Sequence, residues 1–407
     1  MIVRWRRLDE RRAAIVSALM IAAGPLSFSL YTPALPALAA AFAVEPAAIK
    51  LTLTLYFLGF CAAQLVCGPL SDAYGRRPVA VVFAGVYVVG SLVALCAPTL
   101  PVLYLGRALQ GVGAAAGVAT SRAVVRDLFV GQAAARIMNA IGLMVGLVPV
   151  LSPTLGGLVM TSGHWRGLFA IMAAYAVVLL AAMLVLLPET NRAPDPAQAR
   201  PTRVLRNYAT LLRDLRFFGP AALLGLVLGA IYTLPSLLPF VLIGQLGLSP
   251  LEYGMVMLAQ SGALLAANLI AGRLLKKSDA ARLTPIGVAL VAVGGVGFAA
   301  LRFSSAPPVA ALVAPAAVWI FGLPFLSPGA TTAAMRFFPQ MAGAASALLG
   351  FLQMGGGFAF SALAAAVFAN PATAIDTMMP AIALATVATF LLMRRNITRS
   401  TGIAPPL

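Results

Sequence analysis

Twelve long apolar runs constrain the fold of this chain more than any other feature of its sequence. They begin near Ala13, Ile49, Pro78, Val102, Ile137, Gly167, Phe218, Gly254, Pro285, Val309, Ala342 and Ala374. About 20 apolar residues are enough to cross a bilayer as an α-helix, which satisfies its own backbone hydrogen bonds. Because 61% of the 407 residues are hydrophobic and 10% are charged, twelve helices leave no room for a sizeable soluble domain. The sequence therefore predicts an all-α integral membrane protein with twelve transmembrane helices.

The basic residues predict its orientation. The chain has 28 Lys and Arg residues and a net charge of +17. If the N-terminus is cytoplasmic, all of them fall on the cytoplasmic side except Lys50, Arg107, Arg166 and Arg302. By the positive-inside rule both termini are expected in the cytoplasm. The basic residues then orient the chain and contact anionic lipid headgroups, so membrane lipids are expected partners and nucleic acid is not.

The first apolar run allows two interpretations. Arginines followed by apolar residues are also typical of a cleaved signal peptide. The run continues past Pro25, Pro33 and Pro36, which is longer than a signal core and favours an uncleaved first helix.

The longest polar segment follows Glu189 and extends to about Arg216, with three prolines and six arginines. It divides the chain into a six-helix half at 1–190, a cytoplasmic linker at 191–217 and a second six-helix half at 218–407. The basic stretch 272–277 follows the eighth span as 68–77 follows the second, which indicates a degenerate repeat. Repeats of this kind place a substrate site between the halves near the bilayer midplane.

A short polar stretch, residues 68–78, separates the second and third spans. Its charges would be costly in lipid, so we predict a tight loop at the membrane surface. Gly68 would let two helix ends approach each other closely, and Gly75 would adopt the left-handed backbone conformation that a short chain reversal needs. Asp72 is expected to accept from the free N–H groups of a neighbouring helix start, while Arg76 and Arg77 mark the cytoplasmic face.

Arg126 and Asp127 end the fourth span on the same predicted side. Asp127 can pair with Arg76 or Arg77, and as an exposed pair it would contribute only about 0 to 1 kcal/mol. A free energy of that size can still shift the equilibrium between the open and closed states of a gate.

Arg107 is the only basic residue predicted well inside a span. Burying it costs about 2.5 to 3.5 kcal/mol or more unless it meets water or a partner, which indicates a functional residue. The alternative is an arginine that snorkels to the outer membrane edge. Gln110 lies one turn further in on the same face.

Other polar residues inside spans are candidates for a substrate cavity. They are Tyr31, Tyr232, Ser236, Gln260, Asn268 and Gln353. Each could instead form a hydrogen bond between helices, worth about 0.6 kcal/mol on average.

The fifth span is rich in residues that break helices. These are Gly142, Gly146, Pro149, Pro153, Gly156 and Gly157. In a bundle they predict a closely packed helix pivot, with a merely kinked helix as the alternative. Gly355 to Gly357 form a matching cluster in the eleventh span.

Several stretches resemble known transporters. The pattern Gly68-x-Leu70-x-Asp72-x-x-Gly75-Arg76-Arg77 after a second span resembles the loop motif of the major facilitator superfamily. Further stretches are similar to its Bcr/CflA-type drug efflux branch: Tyr31-x-Pro33-Ala34-Leu35-Pro36, Gln64-x-x-x-Gly68, Arg107-x-x-Gln110-Gly111-x-Gly113, Arg126-Asp127-Leu128-Phe129, Leu155-Gly156-Gly157, Trp165-Arg166-x-x-Phe169, Leu187-Pro188-Glu189-Thr190 and residues 342–353.

This resemblance implies the major facilitator fold and a secondary active transporter. The implied function is proton-coupled export of drugs or antibiotics, by antiport, from a bacterial cytoplasmic (inner) membrane. Two pseudo-symmetric halves would rock around a central cavity. The loop motif maps to a cytoplasmic gate of Gly68, Asp72, Gly75, Arg76 and Arg77, completed by Arg126 and Asp127, and the family's helix-four arginine maps to Arg107.

One departure concerns the first span, where relatives of that branch typically carry an acidic residue at the position of Ser29. None of the eleven acidic residues falls in the middle of a predicted span. A buried carboxylate is the usual proton carrier and cation ligand, because low dielectric raises its pKa. We therefore expect neutral, zwitterionic or anionic substrates. Proton coupling would be weak, or would run through Asp72, Asp127 or the substrate's own titration.

Alternative functions remain open at this stage. One is export of an endogenous neutral or anionic metabolite such as a siderophore or nucleoside. Another is a membrane protein that binds a ligand without transporting it. The chain lacks the sequence motifs of hydrolases and of ATP-binding P-loops. Cys61, Cys67, Cys96 and the sole histidine, His164, have no metal-ligand spacing. We expect a monomer with no enzymatic activity, metal or cofactor.

Overall fold

The computed structural model describes residues 10–129, 131–191, 193–303 and 308–401. Within them the chain forms fourteen α-helices. These are α1 (Glu10–Ser29), α2 (Leu35–Ala41), α3 (Pro46–Tyr74), α4 (Arg76–Leu95), α5 (Leu100–Leu128), α6 (Gly131–Met160), α7 (Arg166–Leu186), α8 (Pro201–Arg213), α9 (Leu215–Pro239), α10 (Pro250–Leu275), α11 (Ala280–Ala300), α12 (Val309–Met335), α13 (Ala342–Val367) and α14 (Pro371–Thr401).

Eleven helical segments of the described chain are long and apolar enough to cross a membrane. The prediction of an all-helical, multi-pass membrane protein is therefore confirmed. The remaining predicted span, near Ile137, falls on α6, whose described apolar part is the shorter stretch Leu147–Met160. Twelve spans and cytoplasmic termini stay predictions.

Prolines interrupt the first span. α1 ends at Ser29, and a 3₁₀ turn at Thr32–Ala34 precedes α2. The segment from Arg11 to Ala41 still forms one apolar span. After Pro239, α9 passes similarly into a π-helical turn at Phe240–Gln245.

The predicted loop at 68–78 is shorter than expected. α3 continues to Tyr74 and α4 begins at Arg76, so only Gly75 lies outside the helices. Gly75 has φ 102°, as predicted for the reversal, and a Cβ there would overlap the Glu189 carboxylate. The tight reversal is confirmed, but its predicted bounds of 68–78 are wrong, because one glycine in this conformation suffices to turn the chain.

The buried apolar side chains form two large clusters. The first draws its residues from α1 to α7 and Phe240, and the second from α8 to α14. The clusters meet where α3 packs against α13 and where α6 packs against α10. The α3–α13 contact includes Gly68 and Ala347 and lies near the end of α3. The α6–α10 contact lies near the end of α6, where the Thr154 hydroxyl donates to the Gly254 carbonyl at 2.9 Å. Because spanning helices alternate in direction, these contacts lie at opposite ends of the bundle.

Candidate functional site

Arg107 lies inside the first cluster and has no exposed surface. α5 reaches α3 closely at Gly111, where a Cβ would overlap the Tyr56 carbonyl. This approach places the guanidinium between two aromatic rings, 4.7 Å from the centroid of Tyr31 and 4.6 Å from that of Tyr56. Desolvated contacts of this kind contribute about 2 kcal/mol or more each. Arg107 is therefore a buried cation, not an arginine that snorkels to the membrane edge.

Gln110 supplies the hydrogen-bond acceptor for this cation. Nη1 of Arg107 donates to Oε1 of Gln110 at 2.5 Å, and the Gln110 amide donates to Oγ of Ser91 at 2.9 Å. Ser91 in turn donates to the carbonyl of Tyr87, whose hydroxyl lies 2.6 Å from Oγ of Ser27. A polar chain thus runs from α5 through α4 to α1.

Two guanidinium atoms of Arg107 are unsatisfied. Its Nε and Nη2 are buried and have no hydrogen-bond partner within the described chain. Every acidic residue of that part lies between helices or within about two turns of a helix end. Ser29, at the position where the family resemblance implies an acid, is buried and carries no charge. A buried donor without an acceptor is costly, so Arg107 is suited to bind an anionic or hydrogen-bond-accepting group.

Lys50 is a second buried cation, which the sequence analysis missed. It is 1% exposed and its Nζ has no hydrogen-bond partner among the described residues. Lys50, Phe57 and Gln64 recur every seven residues, so they share one face of α3. That face contacts the second cluster, where Gln64 lies against Gly350 of α13. The seven-residue spacing was the available signal, but Lys50 was considered only as one of the four basic residues that lie off the cytoplasmic side.

An aromatic contact joins the two clusters. The ring centroids of Phe28 and Tyr232 are 5.5 Å apart, and those of Phe57 and Tyr232 are 5.6 Å apart. Tyr56 packs against Phe57 at 5.6 Å and also against Arg107. Rings therefore connect the buried cation to Tyr232. Aromatic residues were not singled out beyond the tyrosines, because apolar rings are common in any bundle.

The structure brings together only some of the predicted cavity residues. Tyr31, Arg107 and Gln110 form one buried group, with the Tyr31 hydroxyl 2.6 Å from Oγ1 of Thr52. Tyr232 reaches that group through the aromatic contact.

The other cavity candidates lie apart from this group. Ser236 donates to the Thr233 carbonyl of its own helix at 2.7 Å. Asn268 is exposed, and its amide donates to Leu264 within α10 at 2.9 Å, so the alternative of a bond between helices is wrong for both. Gln260 is buried and Gln353 is half-buried, and both lie outside the hydrogen-bond chain around Arg107.

A network around Arg76 occupies the end of α3. The Arg76 guanidinium pairs with Asp72, Nε lies 3.0 Å from Oδ2 of Asp127, and Nη1 donates to Oγ of Ser71 at 2.7 Å. The predicted pairing with Asp127 is confirmed, but its predicted exposure is wrong. The side chains are 8% and 19% exposed, because Thr190 also covers Asp127. The side chain of Arg126 lies outside the described residues.

Glu189 takes the capping role predicted for Asp72. Its carboxylate accepts from the backbone N–H groups of Arg76 at 2.9 Å and Arg77 at 3.1 Å, at the start of α4. The prediction for Asp72 is wrong because Arg76, one turn further along the chain, binds that carboxylate instead. The Arg77 side chain donates to the Leu184 carbonyl at 2.8 Å. The missed signal was the Pro188-Glu189-Thr190 stretch that opens the linker.

The linker lies against the same end of the bundle. Asn191 donates to the carbonyl of Asp72 at 2.9 Å, and the backbone N–H of Asp195 donates to that carbonyl at 3.2 Å. A cavity of about 330 Å³ lies beside these contacts, and its lining includes Asp72, Arg203 and Gln340.

The helix pivot is described only in part. Gly142 and Gly146 lie in the segment of α6 whose side-chain surroundings are outside the described residues, and Pro149 and Pro153 are inside the helix. A Cβ at Gly156 would overlap the Leu30 carbonyl, and one at Gly157 would overlap the Pro250 carbonyl. α6 is thus closely packed against the first span and α10, which is the packing predicted for a pivot.

The helical fold is that of a multi-pass membrane protein. A sequence profile of the Major Facilitator Superfamily matches residues 17–362. The chain therefore belongs to the Major Facilitator Superfamily.

Related proteins agree with this assignment. The chain is 29% identical over 351 residues to multidrug resistance protein D of Escherichia coli, covering 86% of this chain and 88% of that protein. It is 26% identical over 379 residues to a bicyclomycin resistance protein homolog of Haemophilus influenzae, covering 92% and 94%. These relatives confirm the resemblance to drug efflux transporters.

Among solved structures, the E. coli xylose transporter XylE in a partially occluded inward-open conformation shares the fold. Its TM-score is 0.73 at 13% identity, covering 94% of this chain and 99% of the XylE chain.

Proposed function

We propose that the protein exports small molecules across the bacterial inner membrane by alternating access. The observation that carries this proposal is the buried Arg107, which has two unpaired donor atoms and lies one aromatic ring away from the contact between the clusters. The halves would be residues 1–190 and 218–407, joined by the linker at 191–217. Relatives that bear drug-resistance names support the outward direction of transport.

The chemistry of the site favours neutral, zwitterionic or anionic substrates. Arg107 and Lys50 are both buried, and each has a donor without an acceptor. A substrate carboxylate or phosphate would form charge-assisted hydrogen bonds with such donors, which are roughly twice as strong as neutral ones. A permanently cationic drug would meet two buried positive charges and no described carboxylate in the span interiors. The same chemistry suits an endogenous acidic metabolite, which is the second candidate substrate.

Of the two contacts between the clusters, one would serve as a gate and the other as a pivot. The Arg76 network and the α3–α13 contact would form the cytoplasmic gate, and the packing of Gly156 and Gly157 would form the pivot at the opposite end. The protein would have twelve spans with both termini in the cytoplasm, and it would work as a monomer. The distribution of basic residues supports the orientation.

Transport would be driven by the proton gradient. No described carboxylate lies deep inside a span, so the proton would be carried by Asp72, by Asp127 or by the substrate itself. The last route requires a substrate that titrates near neutral pH.

Accumulation in an efflux-deficient bacterium tests the proposal. A panel of neutral, anionic and cationic compounds would be measured with the wild type, Arg107→Met and Lys50→Met, each with and without a protonophore. We expect the wild type to lower accumulation of neutral or anionic members, and both Arg107→Met and the protonophore to abolish the effect.

The surface variant Arg282→Gln is the matched control, because Arg282 is exposed and lies in the first turn of α11. Export of ethidium in preference to anions would refute the substrate class. Unchanged export after collapse of the membrane potential and pH gradient would refute proton coupling.

A further inference from the structure

The linker helix α8 has an apolar face that the protein covers only in part. Tyr208 and Leu211 are buried against the bundle, while Leu205 is 67% exposed and Leu212 is 42% exposed. Leu215, just beyond the helix, is 64% exposed. Leu205, Ala209 and Leu212 recur at four- and three-residue spacing, so they form one stripe beside the buried face. An exposed stripe of leucines is unfavourable in water and favourable against acyl chains.

The depth of α8 is set by a hydrogen bond. The Tyr208 hydroxyl donates to the Leu65 carbonyl at 2.7 Å. Leu65 precedes the end of α3 at Tyr74 by nine residues, which corresponds to about 14 Å along the helix axis. α8 therefore lies beside the last turns of α3 rather than beyond them. The last turns of a spanning helix are expected at the level where the hydrocarbon of a bilayer meets the headgroups.

The face of α8 opposite the buried Tyr208 and Leu211 is basic. Arg203, Arg206 and Arg213 are exposed there, and Thr210 lies between Arg203 and Arg206 on the helical wheel. Nη1 of Arg203 lies 3.8 Å from Oδ2 of Asp195. Arg206 and Arg213 have no carboxylate in ion-pair range within the described chain. An apolar stripe flanked by an arginine-rich polar face is typical of a helix that lies in the membrane interface.

We propose that α8 is an interfacial helix that docks on the anionic leaflet next to it. The exposed leucines would enter the acyl region, and Arg206 and Arg213 would bind the phosphates of anionic phospholipids. Each basic residue near such a surface strengthens its attraction to the anionic headgroups. The identification of that leaflet as cytoplasmic rests on the proposed function, whereas the docking itself does not.

Lipid binding at α8 would affect both clusters. Its buried face bonds to α3 through Tyr208 and packs against α13 and α9. Lipid that holds α8 in the interface therefore also holds the linker beside the α3–α13 contact.

Fluorescent labelling tests the apolar contact. Bimane would be attached to single cysteines at Leu205→Cys and Leu212→Cys, with Thr210→Cys on the opposite face as the matched control. Cys96 is the exposed native thiol, whereas Cys61 and Cys67 are buried, so Cys96→Ser provides the background. In nanodiscs, brominated acyl chains should quench the labels at 205 and 212 several-fold more than the label at 210, and aqueous iodide should show the reverse order.

Equal quenching by iodide at 205 and 210 would overturn the proposal. Protection of the label at 205 from both quenchers would also overturn it, because a second copy or another protein would then cover the stripe.

A second measurement tests the lipid charge. Full-length protein would be placed in nanodiscs of phosphatidylcholine alone or mixed with phosphatidylglycerol. Phosphatidylglycerol should increase quenching by brominated chains of the label at 205. The double variant Arg206→Gln/Arg213→Gln should remove that increase, whereas the control Arg282→Gln should retain it. Quenching that is identical in the two lipid mixtures would refute the recognition of anionic lipid.

Discussion

Nη1 of Arg107 lies 2.5 Å from Oε1 of Gln110, and this bond leaves the positive charge of the guanidinium unneutralised. A glutamine oxygen carries only a partial charge, whereas a carboxylate at the same place would form an ion pair. Because Gln110 also donates to Ser91, its amide is oriented with the oxygen toward Arg107. The guanidinium therefore keeps a net positive charge, which the proposed substrate would meet.

Gln110→Glu should remove that net charge. The new carboxylate would pair with Arg107 and compete with the substrate anion, so export of anionic compounds should fall at least about tenfold. A charge-assisted hydrogen bond is worth about 1.5 to 3 kcal/mol, and 1.4 kcal/mol corresponds to tenfold. Export rates in proteoliposomes would measure the change. Faster export of anions by Gln110→Glu would contradict the role of Arg107.

Arg107→Met should separate stability from transport. The substitution relieves the desolvation of a buried charge, which costs several kcal/mol, and forfeits two cation–π contacts worth about 2 kcal/mol each. We expect thermal unfolding in detergent at an unchanged or higher temperature, together with complete loss of anion export. Arg107→Lys keeps the charge and should retain partial export. A large drop in the unfolding temperature would indicate a purely structural arginine.

Lys50→Met should weaken anion export less than Arg107→Met. Lys50 lies on the same face of α3 as Phe57, two helical turns from the aromatic contact, so it would meet the substrate along its path rather than at the central site. We expect a higher KM for anionic substrates with little change for neutral ones. Equal loss for both classes would show that the substitution disturbs packing instead.

The buried cation and its partner could be predicted from sequence because charge is rare inside spans and every exception is visible. Arg107 and Gln110 were identified on that ground, and the structure joins them directly. The partners Tyr56 and Phe57 were not, because aromatic residues are common in apolar helices and their contacts depend on how α3 and α5 pack. Lys50 was missed because its burial depends on how the helices pack around it, which residue type and spacing alone do not indicate.

The end of α3 shows a similar limit. The positive φ of Gly75 and the pairing of Arg76 with Asp127 followed from residue types and spacing. The capping by Glu189 did not, since more than a hundred residues separate it from Arg76 and only the fold brings the linker back. Asp72 was given that role because it was the nearest acid in sequence.

The Arg76–Asp127 pair should be worth more than an exposed ion pair. A double-mutant cycle with Arg76→Gln and Asp127→Asn should give a coupling energy of about 1.5 to 3 kcal/mol, the range of hydrogen bonds to charged groups. Exposed pairs give about 0 to 1 kcal/mol. Unfolding free energies of the four proteins in one detergent would measure it. A coupling within the exposed range would show that water reaches the pair.

Two glycine substitutions should have opposite effects on stability. Alanine at Gly157 would place a Cβ against the Pro250 carbonyl, whereas Gly262 of α10 has no atom within 4 Å of the corresponding position. Gly157→Ala should destabilise the protein by about 1 to 3 kcal/mol, the usual cost of overpacking. Gly262→Ala should stabilise it by about 0.5 to 1 kcal/mol, because alanine favours a helix interior. Unfolding measurements would compare the two.

Transport separates a pivot from a merely kinked helix at the same positions. If α6 and α10 must pack and separate during the cycle, Gly157→Ala should slow export several-fold even at temperatures where the protein is fully folded. Gly262→Ala should export at the wild-type rate. Normal export by folded Gly157→Ala would mean that the close approach at Pro250 serves stability alone, since the added methyl group then fits every state the transporter visits.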